Sequence, residues 1–324
     1  MDPIVSLSHE LIQKGSKSFA MAARLLPRDM RHDAMLLYAW CRHCDDVIDD
    51  QILGFETATA SEESPEARLG QLREKTGRAL AGDADEPVFI ALARVACKHG
   101  IPKRHPMELL RGFEMDVTGR VYHTLNDTLD YCYHVAGVVG VMMAMIMGVR
   151  ERPTLNRASD LGIAFQLTNI SRDVVEDAKI GRTYLPREWL EEAQISDADL
   201  SGPANRKAVS QVTCRLLREA DVYYQSALFG MQRLPLGAAV GIGAARRVYR
   251  DIGRLVASRG ESAWDSRAIV GRSRKVAAAL SGAVAALRAH TTLRIGYAPD
   301  RDGLWTVPGL GKAVPRNRPF AFLR

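Results

Sequence analysis

Two short acidic runs carry residue types from which a metal and phosphate site could be built. In the first, Arg42, Asp45 and Asp49 follow one another at intervals of three and four; in the second, Gln166, Asn169, Asp173 and Asp177 do so at three, four and four. Those are the spacings of neighbours on one face of an α-helix, so each run presents a stripe of polar groups. A pair of aspartates four apart on an exposed helix costs only about 0.2–0.5 kcal/mol, and either stripe alone is ordinary. If both face one apolar cavity, carboxylates about 6 Å apart repel by roughly 3 kcal/mol at an effective dielectric near 20, and such a cluster needs compensating cations. Oxygen donors with no nearby His or Cys favour a hard ion, Mg²⁺ first and Mn²⁺ as the alternative, and Mg²⁺ keeps water and substrate phosphates among its ligands. A diphosphate substrate follows. Arg42, Arg172, Arg182, Arg246, Arg247, Arg267 and Lys17 are candidates to hold its remaining charge.

The elements that must position these stripes read as helices almost throughout. Residues 4–26 show helical spacing and stop at Pro27. Residues 29–50 contain neither Gly nor Pro, and Ala34, Tyr38 and Cys41 make an apolar approach to Asp45 and Asp49. Helical patterns return over 67–80, 88–99, 106–118, 127–149, 153–177, 204–229, 236–258 and 264–290, while 54–70 reads as a surface loop. Glu114 and Asp116, among apolar neighbours, read as the flank of a helix. Residues 135–149 carry no charge, but a spanning helix needs about 20 apolar residues, so this is a core helix. Ala136, Gly140, Ala144 and Gly148 recur at every fourth position, as do Gly237, Gly241 and Ala245. Such faces admit either a closely packed helix or a long apolar substrate. The expectation is one all-α domain over residues 1–295 and a loosely ordered tail over 296–324, which is rich in Gly, Pro and Arg.

Composition narrows the partners without choosing one. Hydrophobic residues at 47% and charged residues at 25% suit a globular core, and a net charge of +6 admits nucleic acid, an anionic membrane or a small anion. The arginines sit within helical segments without a zinc-finger or basic-zipper pattern, which argues against nucleic acid. Five scattered cysteines fit reduced thiols in the cytoplasm. Cys41 and Cys44 lack the second pair that a zinc site would require. The amino terminus shows no basic stretch followed by an apolar core, as a secretory signal would. Gly15-Ser16-Lys17-Ser18 lacks the order of a phosphate-binding Walker loop, although a lysine between two hydroxyls can hold phosphate oxygens.

Taken together, Ser16-Lys-Ser-Phe19, Tyr38-Ala-Trp-Cys-Arg42 with Asp45-Asp-Val-Ile-Asp49, Tyr131-Cys-Tyr with Gly137-Val-Val-Gly140, and the run from 166 to Gly181-Arg-Thr-Tyr-Leu-Pro186 resemble the squalene and phytoene synthases. The order is the same over residues 8–290, and the pattern is most similar to the bacterial phytoene synthases. The resemblance implies an isoprenoid synthase fold, a helical bundle around a central cavity, and head-to-head joining of two prenyl diphosphates. It implies that Asp45 and Asp49 bind Mg²⁺ at one diphosphate, and Asn169, Asp173 and Asp177 at the other. By the same resemblance Ser16, Lys17, Ser18, Arg42, Gln166, Arg172, Tyr249 and Arg267 hold phosphate oxygens or order the site, and Tyr131 sits near the developing carbocation. Two C20 diphosphates giving phytoene without NADPH are expected, with a C15 substrate giving squalene or dehydrosqualene as the rival. A terpene cyclase or chain-elongating enzyme is disfavoured by the Gly-Arg-Thr-Tyr-Leu-Pro run, and a non-catalytic scaffold by the intact acidic stripes. Lipid substrate and product with no membrane span imply peripheral contact at the inner membrane face, and hand-over between neighbouring isoprenoid enzymes.

Overall fold

The structure is a computed structural model that describes residues 23–49, 51–52, 56–57, 63–268, 271–291 and 300–307. In these the helices are α1 (Arg28–Asp49), α2 (Pro65–Leu80), α3 (Pro87–His99), α4 (Arg104–Val117), α5 (Leu125–Cys132), α6 (Val138–Ile146), α7 (Arg152–Lys179), α8 (Arg187–Glu192), α9 (Arg206–Gly230), α10 (Leu236–Arg259) and α11 (Arg272–Thr291). The fold is all-α as expected. Among the described residues the β structure is a two-residue antiparallel ladder, β1 (Gln51–Ile52) with β2 (Glu56–Thr57).

Local chemistry explains several helix ends. The Ser64 hydroxyl accepts from the Ala67 amide and Pro65 occupies the first turn, so α2 begins inside the stretch read as a loop. Thr124 and Asp127 form a reciprocal capping box at the start of α5. Gly181 adopts φ +77° just past α7, a conformation that glycine reaches without strain and that turns the chain back toward the site.

α7 is the central helix. It packs against α6, α9, α10 and the π-helical turn Tyr133–Gly137, and buries residues all around its circumference, from Arg157 and Asp160 to Leu167, Ile170 and Val174. The approach of α6 and of the π-helical turn is close: a β-carbon at Gly140 would lie 2.4 Å from the Ala158 carbonyl oxygen, and one at Gly162 would lie 2.3 Å from that of Ala136. The small-residue face of 136–148 therefore does serve helix packing. The continuous stretch Leu125–Ile146 is long and apolar enough to cross a membrane, yet 67% of its apolar window is buried inside the protein, as a core helix requires.

Residues 300–307 fall within the span expected to be a loose tail, and they dock. Arg301 forks onto the fully buried Asp160, with its Nε 2.8 Å from Oδ2, and the Trp305 amide donates to the Tyr223 hydroxyl at 3.0 Å. A buried carboxylate demands partners, and Arg301, from 141 residues away, joins the Ser226 hydroxyl in supplying them.

Candidate active site

α1 and α7 bring residues of both stripes to one end of a single cavity of about 840 Å³. Arg42, Asp45 and Asp49 from α1 and Gln166, Asn169 and Arg172 from α7 line that end, with Tyr131, Tyr249 and Arg267. The other end is lined by Ala144, Met147, Thr154, Ala158, Gly230 and Leu234. Thr154 and Asn169 lie fifteen residues apart on α7, so at about 1.5 Å per residue the cavity runs roughly 22 Å along the helix. That is a slot for a long apolar chain with a charged head. The small residues 136, 140 and 144 line it as well, so the face that packs against α7 also walls the cavity.

The carboxylates are partly neutralised from within. Arg42 reaches Asp45 at 3.0 Å and Asp46 at 2.6 Å, and Arg182 reaches Asp49 at 2.7 Å. Arg172 forks onto its neighbour Asp173, and Arg267 stands 3.7 Å from the same carboxylate. Asp173 and Asp177 sit beside the cavity lining rather than in it. Asn169 donates to Gln166 at 3.1 Å, which orders the two amides of the stripe.

Positive charge is still in short supply. Burial, and then the neighbouring Asp49, push the Asp45 carboxyl up to about 7 against the opposing pull of Arg42. Burial and the nearby Asp173 push Asp177 up to about 7. The Asp45 side chain is 42% exposed and lines the cavity. Among the described residues no three His, Cys, Asp or Glu groups form a ready cage for a metal. The donor set nevertheless fits a hard cation that completes its shell with water and phosphate: paired carboxylates, an amide oxygen, and a cluster that protonates for want of charge.

Asp116 belongs to this site and not to a mere helix flank as the sequence suggested. Tyr131 donates to one of its oxygens at 3.1 Å and Tyr184 to the other at 2.9 Å, and the two rings stack with centroids 4.6 Å apart. Burial lifts Asp116 to about 6 while Arg182 and the two phenols hold it down. Burial also drives the Tyr131 phenol well above its ordinary value, so it stays neutral beside Asp116. The available signal was one aspartate at the end of an apolar helix face; Tyr184 lay inside a recognised motif without an assigned role. Phe165 stacks on Tyr249 at 4.2 Å and adds a second aromatic wall.

Two of the proposed anion holders do not join. Arg246 donates to the Tyr224 carbonyl at 2.8 Å, with burial pulling it down to about 10, and Arg247 pairs with Asp251. Ser16, Lys17 and Ser18 lie outside the described residues.

The squalene/phytoene synthase family profile matches residues 12–275. The chain is 49% identical to the 15-cis-phytoene synthase of Enterobacter agglomerans over 298 residues, which cover 92% of this chain and 100% of that one. It is 47% identical to the 15-cis-phytoene synthase of a Paracoccus species, covering 95% and 99%. Among solved structures, a dehydrosqualene synthase in complex with ligand superposes with a TM-score of 0.76 at 27% identity, covering 86% of this chain and 95% of that one.

Proposed function

The chain belongs to the squalene/phytoene synthase family, and from that membership we propose that it joins two geranylgeranyl diphosphates head to head into phytoene. The observation that supports this reading is the single cavity, which is lined at one end by Asp45, Asp49, Gln166 and Asn169 and at the other largely by small and apolar residues.

The bonds balance without a reductant. The C1–O bond of one substrate breaks and its electron pair leaves with diphosphate; the 2,3 double bond of the second substrate attacks the resulting allylic cation, and loss of a proton closes a cyclopropylcarbinyl diphosphate. The second diphosphate then leaves, the skeleton rearranges, and loss of another proton forms the central double bond. No hydride is consumed, so NADPH is not expected.

Asp45 and Asp49 on one side, and Asn169, Asp173 and Asp177 on the other, are the residues that would hold Mg²⁺ or Mn²⁺. Bound there, the ion neutralises diphosphate oxygens and improves diphosphate as a leaving group. Arg42, Arg172 and Arg267 hold the phosphate oxygens with guanidinium forks, Gln166 and Tyr249 orient them, and Ser16, Lys17 and Ser18 complete the set. Tyr131, neutral and stacked on Tyr184, presents an aromatic face to the cation, an interaction of about 0.5–2 kcal/mol. The apolar walls keep water from trapping it.

Leu280, Val284 and Leu287 project from one face of α11 and are 67%, 58% and 58% exposed. This stripe supports peripheral contact with the inner face of a membrane, where an upstream enzyme delivers the prenyl diphosphate and a downstream enzyme takes the hydrocarbon. Nucleic acid has no part in it. The purified protein, given Mg²⁺ and C20 or C15 diphosphate with and without NADPH, should form a C40 hydrocarbon without the reductant; exclusive C30 product would sink the substrate assignment.

A further inference from the structure

Asp116 is the penultimate residue of α4, Tyr131 that of α5, and Tyr184 lies in the loop between α7 and α8. Three segments thus meet at one carboxylate, and all three residues line the cavity. The wall they form is thin. Behind it lies a second pocket of about 250 Å³, lined in turn by Asp116, Arg182 and Tyr184. Tyr184 therefore stands between two hollows, and packing leaves part of its ring unsupported.

Directional bonds supply the support. One oxygen of Asp116 accepts from Tyr184 at 2.9 Å and the other from Tyr131 at 3.1 Å, so each oxygen is engaged by a phenol. The buried Thr128 hydroxyl, on α5, donates to the Tyr184 carbonyl at 2.9 Å and anchors the loop itself. The two rings then stack with planes 17° apart. Tyr122 supplies a contrast within the same cluster. Its ring lies 5.3 Å from that of Tyr131 and 5.8 Å from that of Tyr184, but among the described residues its buried hydroxyl has no hydrogen-bond partner. Of these three phenols, the two that line the cavity are the two that Asp116 holds.

The same bonds have an electronic effect. Hydrogen-bonded groups polarise one another in surroundings of low dielectric, so a phenol that donates to a carboxylate gains electron density in its ring. Such a ring attracts a cation more strongly to its face. Burial keeps Tyr131 neutral, so the gain comes from the bond and not from ionisation.

We propose that Asp116 is a positioning residue: it holds Tyr131 and Tyr184 by their hydroxyls, so that the stacked rings stay in the cavity wall and carry extra negative charge where the allylic cation forms. This role rests on the reaction proposed above. Hydrocarbon formation from C20 diphosphate and Mg²⁺ tests it. Asp116→Asn should lower kcat about tenfold, the rate equivalent of a cation–π contact, with substrate KM and the Mg²⁺ requirement unchanged. A raised Mg²⁺ requirement would make Asp116 a metal holder and overturns the proposal. Tyr131→Phe keeps the ring and loses the bond, so it should slow the wild type several-fold and the Asp116→Asn variant hardly at all, because the two changes remove one interaction. Losses that multiply overturn the proposal. Asp116→Glu restores a carboxylate and should regain part of the rate, and Tyr122→Phe should leave it unchanged; a Tyr122→Phe loss equal to that of Tyr131→Phe overturns it too. An Asp116→Asn protein that melts lower yet turns over at the wild-type rate has lost a structural group only, and the proposal with it. Should that variant fail to fold, Tyr131→Phe and Tyr184→Phe decide: each should lower kcat several-fold, and unchanged rates in both overturn the role. A wild-type protein that forms no hydrocarbon refutes the reaction, whereas an active one with an undiminished Asp116→Asn variant refutes Asp116 alone.

Discussion

Asp45 on α1 is 42% exposed into the cavity, whereas Asp173 on α7 is 17% exposed and forked by the arginine beside it. Both belong to Asp-x-x-x-Asp stripes that helical spacing aims at the same place. The difference lies in the cations. Arg42 divides itself between Asp45 and Asp46, one turn along its own helix, so Asp45 keeps an open side. Arg172 commits its fork to Asp173 alone. Spacing thus decides which face a carboxylate occupies, and the nearest guanidinium decides whether that carboxylate is available. In the α1 stripe Asp45 keeps a side free although Arg182 holds Asp49, while in the α7 stripe Arg172 holds Asp173.

The largest effect should come from removing either stripe. Asp45→Asn and Asp173→Asn should each lower turnover about a thousandfold with a native far-UV spectrum, because each removes a carboxylate that would hold the cation on the departing diphosphate; activity retained in both would refute the two-stripe site. The frame holding α7 comes next. Gly162→Ala should cost about 1–3 kcal/mol by overpacking against the Ala136 carbonyl, seen as a lower denaturation midpoint, while Gly70→Ala, with nothing within 4 Å, should gain up to about 1 kcal/mol in its helix.

Releasing Asp173 from its fork sharpens the comparison directly. Arg172→Met should raise substrate-free Mn²⁺ affinity about tenfold, or roughly 1.4 kcal/mol, although turnover falls; Arg42→Met should raise it less. Equal gains would mean the two stripes are equally available. The smallest effect concerns pH. Asp45 and Asp177 are both raised to about 7, so between about pH 4 and that value the folded chain holds protons the unfolded chain has released. Stability of the metal-free protein should therefore fall as pH rises through this window, with Asp45 contributing less because it is partly exposed. Asp177→Asn should flatten the slope, measured as melting temperature against pH; a slope of the opposite sign would contradict the burial of these groups.

Much of this was legible in the chain, and the misses have a common cause. The helices over 88–99, 127–149 and 153–177 and both stripes follow from periodicity within a few turns. Asp116 was missed because its meaning comes from Tyr131 and Tyr184, on a later helix and loop. The docking of residues 300–307 was missed because Arg301 answers a buried carboxylate on α7, and Gly- and Arg-rich composition gives no sign of it.

By itself the sequence determined the helical class, the two oxygen stripes and the small-residue faces, because these are properties of short segments repeating at 3.6 residues per turn. Only the tertiary structure decided that Asp45, Asp49, Gln166 and Asn169 line one cavity with Asp173 and Asp177 beside it, that Arg182 bridges 133 residues to Asp49, and that Asp173 is held shut while Asp45 stands open. Those are contacts between distant segments, and burial and charge neutrality select them once the helices have packed.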